Sequence, residues 1–90
     1  MGHYLPWAMH RALARALTKM YRNERLSWTE EQVRELDAQG LRQQRGLARG
    51  RTDSALANFP VDELEPRVQE ELEDAEVVIS LIDRILGAEA

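Results

Sequence analysis

The feature that most constrains this chain is a run of apolar residues near its C-terminus. Val68, Leu72, Ala75, Ile79, Ile82 and Leu86 recur at spacings of 4, 3, 4, 3 and 4, a heptad-type seam on one side of an α-helix. Val78, Leu81 and Ile85 add a second stripe beside it. A helix so broadly apolar must be covered on two sides. A chain of 90 residues buries only a modest share of its surface, so one core has little stability to spare. The expectation is therefore that one of the two covers comes from another subunit. The helix is predicted over 66–86. Pro66 suits its first turn, where a missing N–H costs nothing, and Gly87 suits its end because it tolerates the left-handed conformation.

Two further helices are expected upstream. Met9, Leu13, Ala16, Leu17 and Met20 fall on one face of a helix over 6–23, with Arg11, Arg15, Lys19 and Arg22 along another. The apolar face is narrow and alanine-rich, which favours a core helix with a solvated basic side over a membrane-surface helix or a presequence. Tyr4 and Trp7 at its start are expected to close the core, with an exposed aromatic anchor for a partner as the alternative. The next helix is predicted over 28–44. Ser27 and Glu30 have capping-box spacing, Glu30 and Glu31 suit the positive end of the helix dipole, and Trp28, Val33 and Leu36 supply its buried side. Gly40, Gly46 and Gly50 follow. Each costs about 1 kcal/mol in a helix interior relative to alanine, so either a frayed continuation or a loop is expected through Arg51. A short helical turn is expected near 53–58, with Phe59 as a core plug beneath it. The fold class is all-α: a small bundle of three main helices in a single domain, 1–90, completed by oligomerisation.

Composition removes several alternatives. The absence of cysteine excludes disulfides and thiolate metal sites. No apolar run approaches the roughly 20 residues needed to span a bilayer, and Arg11, Arg15 and Lys19 interrupt the first apolar segment, so neither membrane anchoring nor secretion is expected. A cytoplasmic chain is the reading. Eleven of the twelve basic residues are arginine, which hints at a GC-rich bacterial or phage source. The net charge of −4 hides an asymmetry: residues 1–52 carry ten Arg/Lys against five Asp/Glu, and 53–90 carry two against eleven. Such a chain is expected to pair its own halves or to pair with copies of itself.

Three groups of residues bear on chemistry. The first is the stretch EELEDAEVVISLIDRIL, where Glu71 and Asp74 stand at i and i+3 and could share one divalent cation. This stretch resembles the EExxD-type helix of the MazG-like all-α nucleoside triphosphate pyrophosphohydrolases. The resemblance covers about twenty residues and implies magnesium-ligand roles for Glu71 and Asp74 only. The family also has an ExxE pair on an earlier helix; here the nearest substitute, Glu31 with Glu35, is one residue too widely spaced. The bland reading of the acidic stretch is a solvated face.

The second group is LRQQRGLARGR, in which Arg42, Arg45, Arg49 and Arg51 occur without an acidic residue. Guanidinium forks and glycine backbone suit phosphate oxygens, so a phosphorylated ligand, nucleotide or nucleic acid is an alternative. The acidic overall charge and the lack of interleaved aromatics weigh against nucleic acid. Third, His3 and His10 lack the further ligands a shared metal would need. The leading expectation is a non-enzymatic adaptor, regulator or inhibitor without a cofactor. It would bind a protein partner and form a homo-oligomer through Leu72, Val78, Ile79, Leu81, Ile82 and Ile85.

Overall fold

A computed structural model describes residues 4–22, 27–57, 60 and 63–89. Among these residues it is all-α, a bundle of four helices without a strand: α1 (Tyr4–Tyr21), α2 (Glu30–Arg34), α3 (Ala38–Leu56) and α4 (Pro66–Glu89). No described helix is long and apolar enough to cross a membrane.

The doubly striped helix lies at the centre. α4 packs against both α1 and α3, and α2 packs against α1. Leu13, Leu17 and Met20 of α1, Val33 of α2, Leu41 and Ala48 of α3, and Val78, Ile82 and Ile85 of α4 form one buried cluster. Both covers of α4 are thus supplied by the chain itself. Each fully buried Leu, Ile or Val contributes about 1.5–3 kcal/mol, so this cluster is where most of the stability resides. Pro66 opens α4 as its sequence implies, but the helix runs through Gly87 to Glu89.

The first helix buries the face expected of it, with Leu13, Ala16, Leu17 and Met20 almost fully covered. It stops at Tyr21, where Arg22 takes a left-handed backbone with φ 48°. A non-glycine residue is strained there. The N–H of Arg22 still donates to Thr18 O at 2.9 Å, which closes the last turn. Trp7 does not close the core. It is 39% exposed, with the Arg11 guanidinium 4.2 Å above its ring.

The middle of the chain departs most from expectation. The helix predicted over 28–44 is divided at Leu36–Asp37. Its first part starts two residues later than Ser27 and Glu30 imply: Thr29 is the cap, accepting from the N–H of Gln32 at 3.1 Å, while the Gln32 side chain accepts from the N–H of Thr29 at 2.9 Å. Asp37 caps the second part by accepting from the Gly40 N–H at 2.7 Å. Leu36 and Leu41 then hold the two positions of a hydrophobic staple, and both belong to the core or pack against it. A side chain at residue 40 would press on Leu36, since a Cβ there would lie 3.2 Å from Leu36 Cδ2. Gly40 therefore serves a helix start, not a stop.

α3 then continues through Gly46 and Gly50, and the turn expected near 53–58 is its last turn. Packing against α4 outweighs the propensity cost of two interior glycines. The expectations for Phe59 and His3 concern positions outside the described residues.

Candidate functional site

The acidic and basic halves of the chain meet along α4. Asp74 is the decisive residue. It continues the second apolar stripe by one step toward the N-terminus, because 74, 78, 81 and 85 share heptad spacing. α1 therefore covers it, and its side chain is only 7% exposed. A carboxylate so placed must be paired to stay charged. Lys19 Nζ lies 3.1 Å from Oδ1 and Arg22 Nη2 lies 3.3 Å from Oδ2. The same Arg22 nitrogen reaches Glu70 Oε1 at 3.4 Å. Partial desolvation works against the charge of Arg22, but Glu70 and then Asp74 outweigh it and hold its guanidinium above the usual arginine range. These contacts also account for a left-handed arginine at the end of α1, since that backbone turn aims the side chain at α4.

Glu71 and Asp74 do not form a joint site. Asp74 is turned to α1 and occupied by two cations, whereas the half-buried Glu71 faces a groove beside α3 lined by Gly46, Gly50, Arg51 and Ser54. Among the described residues no three His, Asp or Glu side chains are grouped to hold a metal. A magnesium ion at Asp74 would have to displace Lys19 and Arg22 and then find its remaining oxygens elsewhere.

The four arginines of the glycine-rich segment lie on α3 and have two different fates. Arg45 crosses to α4 and makes a two-pronged pair with Asp83, Nε to Oδ1 at 2.7 Å and Nη2 to Oδ2 at 3.4 Å. The hydrogen bond to Asp83, and then its charge, hold Arg45 above the ordinary arginine range, with desolvation opposing. Arg51 donates to Met20 O at 3.3 Å and lies 5.2 Å above the Tyr21 ring. Arg42 and Arg49 are exposed and form no ion pair with a described residue. They are seven residues apart, two helical turns, and so share one face.

Tyr21 carries no mark in the sequence, yet it ties α1 to α3 and to the segment that leads into α2. Its hydroxyl donates to Gln44 Oε1 at 2.6 Å, and its ring stacks on Trp28 with centroids 6.5 Å apart. Burial pushes the phenol above its ordinary value of 10.0, and the charge of Arg51 partly offsets that.

Of the six residues expected at an oligomer interface, Leu72, Val78, Ile79, Ile82 and Ile85 are buried within the single chain, at most 9% exposed. Leu81 is partly covered and packs against the same cluster. α1 and α3 provide the cover that a second subunit was expected to give. The apolar surface left open lies at other residues, Leu47, Leu56 and Val77, at 54, 42 and 49% exposure. Leu56 borders a groove of 360 Å³ between α3 and α4, lined also by Thr52, Gln69, Leu72, Glu73 and Glu76. The sequence signal for it is faint: Leu47 and Leu56 are apolar residues that fall outside the buried row Leu41–Ala48–Thr52.

No family model, no curated protein and no solved structure matches the chain.

Proposed function

We propose that this chain is a small non-enzymatic helical adaptor, regulator or inhibitor of bacterial or phage type, which acts in the cytoplasm by binding protein and works as a homo-oligomer. The observation that carries the reading is the outer surface of α3 and α4, where Leu47, Leu56 and Val77 remain 42–54% exposed beside arginines that no described carboxylate neutralises. Scattered exposed apolar residues are ordinary. Here Leu47 and Leu56 point to opposite sides of α3 and Val77 lies on α4, so the reading rests on several exposed apolar spots beside charges unpaired among the described residues.

The engagement of Asp74 with Lys19 and Arg22 removes the main support for a magnesium-dependent pyrophosphohydrolase. A second reading, binding of a phosphorylated ligand, is favoured by Arg42 and Arg49 alone, because Arg45 and Arg51 already have partners within the fold.

A photo-crosslinking residue at position 47 or 77, introduced into the protein in living cells, tests the main reading. Discrete crosslinked protein species are expected there and not from position 31 on α2. Equal labelling at all three positions, or none, would contradict protein binding. Release of pyrophosphate from a nucleotide panel with magnesium would contradict the non-enzymatic reading outright.

A further inference from the structure

The groove between α3 and α4 has unlike ends. The two helices run antiparallel: Arg45 meets Asp83 at one end, and Thr52 and Leu56 lie beside Gln69 and Leu72 at the other. The first end carries Arg42 on α3, with Arg49 two turns further along the same face. The second carries Glu73 and Glu76 on α4. All four are exposed, and none forms an ion pair with a described residue. On the opposite flank of α4 the charges are already matched, by Lys19 and Arg22 against Asp74 and Glu70. Unmatched charge of both signs therefore adjoins this one groove, segregated along its length, with the apolar Leu56 and Leu72 at its acidic end.

We propose that the α3–α4 face is the dimer interface of this protein, with a second copy of the same chain as its occupant. A face that is basic at one end and acidic at the other is complementary to itself after a two-fold rotation. Arg42 and Arg49 of each copy then meet Glu73 and Glu76 of the other, and the two apolar patches are enclosed by the ion pairs. A foreign partner would need the same charge gradient in reverse, which a second copy supplies without further assumption. The face is small. From Arg42 to Leu56 α3 advances about 21 Å, which places the contact at the lower end of specific interfaces. The dimer is accordingly weak, reversible and sensitive to salt. This inference rests on the protein-binding reading and names one partner for it.

Sedimentation velocity over a concentration series, at low and at high salt, reads the result. The native chain is expected to pass from monomer to dimer with rising concentration, and to do so less readily in high salt. R42E with R49E, and separately E73R with E76R, should each weaken association about tenfold or more, which corresponds to roughly 1.4 kcal/mol. Mixing the two variants should restore a dimer, because each then offers what the other lacks. A control variant with the same change of charge, E31R with E35R at α2 and its C-cap, keeps the proposed face intact and should dimerise on its own as the native chain does. The neutral pair R42Q with R49Q gives the same direction of change should the reversals perturb folding, which circular dichroism reports. A native chain that stays monomeric throughout overturns the proposal, as does a dimer indifferent to these exchanges, or one that the control variant weakens as much as E73R with E76R does. Protein crosslinks at position 47 or 77 from a chain that is monomeric in solution would leave the protein-binding reading standing while this interface falls.

Discussion

The two sides of α4 are built differently. Toward α1 it meets Leu13, Leu17 and Met20, large side chains that are at most 2% exposed, and the buried Asp74 is clasped by two cations from the same helix and its end. Toward α3 the buried residues are few and mostly small, Leu41, Ala48 and Thr52, with one ion pair at the surface. α3 also carries Gly46 and Gly50, neither with an atom from beyond its own stretch of helix backbone within 4 Å of where a Cβ would stand. The contrast teaches that stability and availability have been allotted to different flanks of one helix. α1 and α4 hold the fold. α3 is held by less, and keeps apolar and charged groups on its outside.

The largest effect should come from the shared core. Ile82 is fully buried, and Ile82→Ala should cost about 2–5 kcal/mol through lost burial and the cavity left behind. Denaturant titration checks this, and a loss below 1 kcal/mol would mean that the core is looser than its packing implies. Smaller, and of opposite sign, is the effect of filling the helical glycines. Gly46→Ala with Gly50→Ala should stabilise the fold by about 1 kcal/mol for each residue, since no side chain or backbone atom stands in the way. A fall in stability would show that α3 is packed more closely than its bare outer face suggests, and would erase the contrast between the flanks.

How far the sequence carries these conclusions differs by region. The faces of α1 and α4 are legible because their apolar residues keep helical spacing over several turns, and periodicity outweighs local propensity. The break at Leu36–Asp37 is not, because the pattern Val33, Leu36, Gly40 reads equally well as one helix. Only the pairing of Leu36 with Leu41 around Asp37 distinguishes a new start. The glycines mislead for a related reason: a propensity penalty is small beside tertiary packing. Asp74 reads as part of a solvated or cation-binding acidic face because its letter is acidic, while its position belongs to an apolar row. Which arginines would be used inside the fold could not be read at all, since Arg45 finds Asp83, and Arg51 finds Met20 and Tyr21, only after the helices have assembled. The surplus of apolar residues on α4 calls for a second cover without saying whether the chain itself or another subunit supplies it. The cover proved to be α3.

The contrast between the two flanks is tested most directly by native-state hydrogen exchange resolved to single amides. Amides in the interior of α1 near Leu17, and of α4 from Val78 to Ile85, should exchange only through global unfolding, while those of α3 from Leu47 to Arg51 should exchange through local opening and at least tenfold faster. Equal protection across α1, α3 and α4 would contradict the account, since α3 would then be as firmly held as the pair it covers.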